Sequence, residues 1–291
     1  MGNEPILITG ASGVLGRSMV RAFTKANFPV RRGVRRPPET PGTETVHFDY
    51  TKAETFGPAL AGAHGLLLMA PPLDPGAPAK LKPVIELAKQ AGISRIAFIS
   101  AFGVNFNEQA PLRIVERQVM DSGIPFAILR PNFFMENFSE GFLSGTIKGQ
   151  NGIFLAAGDG KTSFISAEDI AGVAVKFFSD FALKREIDLT GPEALDHAEV
   201  AGMIGEVSGR AISYHALTED QMVAGVRSAG VPEPAIGYMK ALYDVVRAGH
   251  AAGVTGDVEL VLGRPPISFR KFAEQNASSW MTANAYSGEH K

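Results

Sequence analysis

No cysteine occurs in the 291 residues, so disulfides, thiolate catalysis and Cys-based zinc or iron–sulfur sites are excluded. Charge of one sign is not in excess. Twenty-eight Lys and Arg against 30 Asp and Glu leave a net charge of −2, and that field selects neither nucleic acid nor an acidic membrane surface. No apolar run approaches the roughly 20 residues needed to span a bilayer. The first residues lack the basic start and long apolar stretch of a secretory leader. His197 and His215 have no partners at metal-ligand spacing, so no metal site is expected. A cytoplasmic protein with no membrane or nucleic-acid partner is the resulting expectation. Oligomeric state stays open, a homodimer being compatible with it. A hydrophobic content of 45% is enough for one large core or two modest ones.

What is present is an alternation of short apolar runs with helical stripes. Ile6–Ile8 reads as a strand, and Leu15, Met19 and Phe23 then recur every four residues on one helix face. Pro29–Val34, Thr45–Phe48, Gly65–Met69, Ile96–Ile99 and Ile124–Leu129 follow as further strands. The continuous apolar run of Gly65–Met69 suits a strand buried on both faces. Leu81, Val84, Ile85 and Ala88 mark one intervening helix, and Val115 and Val119 another. This order predicts an α/β fold with a doubly wound parallel (Rossmann) sheet. The division expected is a dinucleotide-binding domain over residues 1–150 and a smaller, interleaved substrate region over 151–291. Gly141–Gly160 reads as hairpin-like, and the last third as mostly helix and loop.

The first strand runs into Thr9-Gly10-Ala11-Ser12-Gly13-Val14-Leu15-Gly16, a G-x-x-G-x-x-G pattern opening a helix. Gly10 permits a sharp turn, Gly13 lets backbone approach a pyrophosphate, and Gly16 lets helix and strand pack closely. The helix start offers unpaired N–H groups and partial positive charge to phosphate. An acid near the end of the second strand would mark NAD, yet no Asp or Glu lies between Gly10 and Glu39. Arg31, Arg32, Arg35 and Arg36 stand there instead, and guanidinium forks suit a 2′-phosphate, so NADP is the predicted cofactor with Arg35 and then Arg36 as its readers. A solvated basic turn is the competing reading. Asp49 is placed to accept from an adenine amino group with Tyr50 packed beside it, or else to sit in a turn and cap the next helix. Ala70, Pro71 and Pro72 end the fourth strand, where strand carboxyl ends line the cofactor crevice.

The loop TGASGVLG, the segment LRPNFFMEN (Leu129–Asn137) and ISAEDIA (Ile165–Ala171) resemble the short-chain dehydrogenase/reductase superfamily, and more closely its NmrA-like branch. The tail GRPPISFRKFAEQNASSW (Gly263–Trp280) resembles the festuclavine and agroclavine dehydrogenases, with triphenylmethane, quinone and azo reductases as more distant members. The resemblance implies that Arg130, Pro131, Asn132, Phe133 and Phe134 border the nicotinamide. Phe133, Phe134, Met135 and Phe138, with Tyr238 and Met239 from the later helical region, are the expected pocket for a flat substrate, one of Phe133 and Phe134 facing the ligand and the other buried. Arg130 reads as a structural ion pair, Glu108 and Glu136 as solvated charges, and Trp280 as the anchor of the C-terminal helix.

One family feature is missing. Typical members carry Tyr-x-x-x-Lys, in which Lys lowers the Tyr pKa for proton transfer; this chain has no such pair, and by spacing its places fall on Glu108 and Leu112. Ser100 occupies the usual serine region, either as a cofactor hydrogen-bonder or as a satisfied strand-end hydroxyl. Hydride transfer without a built-in acid suits acceptors that are already electron-poor, such as quinones, iminium ions, triarylmethyl cations and azo compounds. Two other readings stand beside it: a non-catalytic redox sensor acting through a protein partner, and, least favoured, an epimerase or dehydratase of nucleotide sugars.

Overall fold

A computed structural model of the chain describes residues 4–36, 44–180 and 186–281. In chain order the first elements are β1 (Ile6–Ile8), α1 (Val14–Lys25), β2 (Val30–Val34), β3 (Thr45–His47), α2 (Phe56–Leu60), β4 (Gly65–Met69), α3 (Ala77–Gln90), β5 (Arg95–Ile99), α4 (Pro111–Asp121) and β6 (Phe126–Pro131). Next come α5 (Glu136–Ser139), α6 (Ser144–Gln150), β7 (Gly152–Leu155), α7 (Ala167–Ser179), β8 (Glu186–Leu189), α8 (His197–Ser208) and β9 (Ser213–Ala216). The chain continues with α9 (Glu219–Ser228), α10 (Glu233–Arg247), α11 (Asp257–Leu262) and α12 (Phe269–Gln275). No helix among the described residues is long and apolar enough to cross a membrane.

Seven strands form a parallel sheet in the order β3-β2-β1-β4-β5-β6-β8. The winding reverses between β1 and β4, and ligands of open sheets of this type lie beyond the strand carboxyl ends at that reversal. Period-2 alternation explains why Gly65–Met69 is apolar throughout. Leu66 and Leu68 join the core that contains Leu81, Val84 and Ile85 of α3. Gly65 points to the opposite face, where a Cβ would come within 2.5 Å of the Phe178 ring on α7, so no side chain fits. On that face α1 packs beside α7, with the Phe23 and Phe178 rings edge-on at 5.4 Å. Left-handed glycines close α3 and α4: Gly92 at φ +76° and Gly123 at φ +77°.

Two compact units result, and their boundary differs from a single cut at residue 150. The described residues within 1–131, 167–189 and 256–264 form the first unit, and those within 132–166, 190–255 and 265–291 the second. The reason is β8, which pairs in parallel with β6 and carries α7 back to the sheet. Asp169 of α7 makes an ion pair with Arg264 at 2.8 Å.

The second unit corrects the hairpin expected over Gly141–Gly160. That stretch contains α6 and then β7, whose partner is β9 in a parallel pair. Phe154 and His215 stack across it at 4.6 Å. The core gathers Phe138, Phe164, Phe269 and Trp280, and Trp280 Nε1 donates to the Phe138 carbonyl at 2.7 Å. His197 sits among the Phe138, Phe164 and Tyr214 rings. Burial pushes its imidazole down to about 4, so it is neutral near pH 7.

Candidate functional site

The glycine loop adopts the geometry its spacing requires. Gly10 has φ +62°, a region an L side chain rarely occupies, and its carbonyl accepts from Gly13 N at 3.0 Å. Gly13 is the N-cap of α1 and offers no side chain to its first turn, which also contains no acid. The unpaired N–H groups and positive dipole end of this 12-residue helix therefore face outward uncompensated. Gly16 is the tightest point: a Cβ there would lie 2.1 Å from Gly10 O and 2.8 Å from Ala11 Cα. Ala11 N donates to Gly33 O, tying the loop to β2, while Ser12 is exposed and its carbonyl accepts from Arg17 at 2.8 Å. Val14 is half-buried and Leu15 buried, so these two contribute backbone to the cradle and apolar surface to the core.

The four arginines after this loop divide. Arg31 donates to the Ala59 and Ala61 carbonyls at the end of α2, and Arg32 lies 4.0 Å from Glu44. Arg35 and Arg36, just beyond β2, are exposed and pair with no acid among the described residues. Asp49 accepts from Thr51 N at 2.9 Å and Thr51 Oγ1 at 2.8 Å, which holds its carboxyl below the usual range; the bonds close its own turn, and the 3-10 turn that follows over Ala53–Thr55 has Lys52 at its N-cap with no side-chain bond. Tyr50 lies 3.0 Å from Thr9 Oγ1 and donates to the Met69 carbonyl, clasping the ends of β1 and β4. Burial pushes its phenol above the ordinary range. Ala70 and Pro71 are half-buried and Pro72 exposed at the end of β4. The next residue, Leu73, has φ +52°.

Ser100 at the end of β5 donates to Glu116 Oε1 at 2.6 Å. Its proton is engaged, so it can offer a ligand only lone pairs. Glu116, a residue the sequence did not single out, is the hub of a buried network. It accepts from Arg130 at 2.8 and 2.9 Å and from Arg113 at 2.8 Å. Burial opposes its charge, but the bonds from Arg130, Ser100 and Arg113 outweigh it and hold the carboxyl below its ordinary value. Arg130 also donates to Glu186 and lies 3.6 Å from Asp188, so it is the expected ion pair rather than a nicotinamide contact. Glu108 is half-exposed but not simply solvated, being forked by Arg113 and Arg117. The sequence signals for this hub were weak: an Arg three residues before Glu116 and an arginine in a buried strand.

In the second unit the predicted pocket residues separate. Asn132 is buried, as is Pro131, the residue before it, which ends β6 in the first unit. Asn132 Nδ2 donates to Ser163 Oγ and Ala251 O, both at 2.8 Å, and its Oδ1 accepts from Phe133 N, so its side chain is a structural fastener. Met135 and Phe138 are each 1% exposed and belong to the closed core, not to a pocket wall. Phe133 and Phe134 are both half-buried, correcting the expectation that one is fully buried; Phe133 lies 6.2 Å from the Tyr243 ring. Tyr238 and Met239 on α10 are half-buried, and burial pushes the Tyr238 phenol up. Glu136 is buried, not solvated. No cluster of His, Asp and Glu among the described residues is arranged to hold a metal ion.

Comparison with known proteins agrees with this geometry. An NAD(P)H azoreductase of Xenophilus azovorans is 30% identical over 290 residues, covering 96% of this chain and 100% of its own length. An agroclavine dehydrogenase of Claviceps fusiformis is 31% identical over 287 residues, covering 95% and 98%. Among solved structures, the Citrobacter sp. triphenylmethane reductase complexed with NADP(H) superimposes with a TM-score of 0.76 at 22% identity, over 94% of this chain and 99% of that one, and so shares the fold. The chain belongs to the NmrA-like family, whose model matches residues 2–265.

Proposed function

We propose that the chain is an NADPH-dependent reductase of flat, conjugated, electron-poor small molecules. The observation that carries the cofactor assignment is the glycine loop at the uncapped start of α1: Gly16 has no room for a Cβ, 2.1 Å from Gly10 O, so the helix start packs directly on the loop, and Gly13 presents bare backbone there. That cradle fits a pyrophosphate, and Arg35 and Arg36 suit a 2′-phosphate. When bound, NADPH supplies a hydride at its nicotinamide ring. The residues of the chain bind and orient: Gly10–Gly16 hold the pyrophosphate, Ser100 offers an acceptor at the end of β5, and Pro131 flanks the ring. Phe133, Phe134, Tyr238 and Met239 are the proposed substrate-facing residues.

The acceptor class follows from the sequence having no Tyr-x-x-x-Lys and from the relatives' chemistry. An azo compound and a clavine alkaloid are both conjugated nitrogen compounds. Proximity and exclusion of water are what such an acceptor needs, with any later proton coming from solvent. The test is NADPH oxidation against quinones, triphenylmethane dyes, azo dyes, cyclic iminium ions and simple aliphatic ketones. Turnover is expected with at least one conjugated class and not with the ketones. Efficient ketone reduction alone overturns the mechanism. No turnover, with tight and redox-selective cofactor binding, moves the reading to a redox sensor.

The cofactor preference has its own test. In Arg35→Ala the NADPH Kd is expected to rise about tenfold, the loss of one charge-assisted contact of roughly 1.5 kcal/mol, while NADH affinity holds. A smaller change is expected in Arg36→Ala. An unaltered NADPH to NADH affinity ratio in both variants removes these residues from the role.

A further inference from the structure

Phe106 has the highest exposure of any large hydrophobic side chain among the described residues, at 87%. One exposed apolar side chain needs no explanation by itself. Its mounting does. Residues 101–110 leave β5 at the carboxyl edge of the sheet, the edge where ligands of this winding lie. Gly103, at φ +79°, turns the chain into a short 3-10 turn over Val104–Phe106 that lifts the ring outward.

Both feet of this loop are fastened. At the first, Ser100 Oγ donates to Glu116 and Phe102 N donates to Pro131 O at 2.9 Å. At the second, Glu108 is gripped by two guanidinium forks on α4: Arg113 on Oε1 at 3.0 and 3.1 Å, Arg117 on Oε2 at 2.9 and 3.2 Å. A loop held this firmly around an apolar crown is preorganised for contact with a ligand, since little ordering entropy remains to be lost. A second observation points to the same edge. β4 is the hydrogen-bonded neighbour of β5, and its following loop holds Leu73 in the left-handed region at φ +52°. Non-glycine residues in that region cluster at ligand sites.

We infer that Phe106 is an aromatic platform for the flat acceptor and sets the preference for broad, multi-ring acceptors over narrow single-ring ones. The inference rests on the reductase reading above. Stacking on such a ring rewards extended π-surface, so loss of the ring penalises a broad acceptor more than a narrow one.

The experiment compares the parent, Phe106→Ala and Phe106→Trp with a triphenylmethane dye and with 1,4-benzoquinone. In Phe106→Ala the ratio of kcat/KM for dye over quinone is expected to fall about fivefold, mostly through KM, with melting temperature unchanged. Phe106→Trp is expected to retain the ratio. In Phe106→Trp the introduced indole also reports binding without turnover. Dye added to the NADP-loaded protein is expected to quench its emission well beyond that of the parent, whose single tryptophan, Trp280, is buried. If the parent reduces the dye and Phe106→Ala keeps the same ratio, the platform is refuted and the reductase reading stands. If the parent reduces nothing, that reading fails; quenching of the indole then still places the dye at Phe106, and no quenching refutes it.

Discussion

Gly16→Ala is expected to lose NADPH binding by at least about a hundredfold and to lower the melting temperature, whereas Gly13→Ala loses affinity alone. The two glycines share a loop but not a constraint. At Gly16 the added carbon lies 2.1 Å from Gly10 O and 2.8 and 2.9 Å from Ala11 Cα and C. Those atoms are backbone, and Gly10 is pinned by its φ of +62° and by the bond its carbonyl accepts from Gly13 N. Relief requires α1 to move away from β1, which unmakes the cradle; overpacking of this kind costs about 1–3 kcal/mol or more. At Gly13 the backbone has an ordinary φ of −72°, and the added carbon would meet only Gly10 O, at 3.4 Å. Folding tolerates it, so any loss of affinity reports phosphate approaching that spot. Titration of cofactor fluorescence and thermal melts measure both quantities. Full cofactor affinity in Gly13→Ala removes the pyrophosphate from this loop, and a folded, cofactor-binding Gly16→Ala contradicts the packing described above.

The loop was legible in sequence because its determinants are local: three glycines at fixed spacing, a strand before and a helix stripe after. The same holds for Leu66 and Leu68, whose alternation identifies a two-faced strand without knowledge of its neighbours. Long-range pairing was not legible. The pattern of Ala167–Ser179 announces a helix but not that β8 after it will join β6, and nothing in Gly152–Leu155 names a partner some 60 residues on. Met135 and Phe138 illustrate a second limit. An aromatic-rich segment after a sheet strand looks the same whether it lines a pocket or closes a core, and only the surrounding Phe164, Phe269 and Trp280 decide. Glu116 is the third case. On a helix reading PLRIVERQVMD it resembles a surface acid, and its burial depends on two arginines and a serine, of which Arg130 lies on β6 and Ser100 directly after β5.

That buried hub supplies the second large effect. Glu116→Leu is expected to destabilise the protein by about 3–5 kcal/mol, a drop of roughly 10 °C in melting temperature. Glu116 is fully buried and accepts four hydrogen bonds from Ser100, Arg130 and Arg113. Removing it leaves the Arg130 and Arg113 side chains, 4% and 11% exposed, without their shared counter-ion. Arg130 retains Glu186 and Asp188, and Arg113 retains Glu108, which keeps the cost below that of two orphaned charges. Glu116→Gln keeps the shape and two acceptor lone pairs while dropping the charge, so a smaller loss of about 2 kcal/mol is expected. The two variants also differ from the parent in acid. The Glu116 carboxyl lies below its ordinary 4.5 when folded, so on acidification the unfolded chain takes up the proton first. This group's stabilisation is full above pH 4.5 and drains away as pH falls toward the folded value. Urea melts from pH 7 down to pH 3 should therefore show the gap between parent and Glu116→Gln narrowing below about pH 4.5. A constant gap across that range, or a Glu116→Leu variant as stable as the parent, means that the carboxylate and its arginines contribute nothing net. The first foot of the loop bearing Phe106 would then rest on its backbone bonds alone, Ser100 N to Leu129 O at 2.8 Å and Phe102 N to Pro131 O at 2.9 Å.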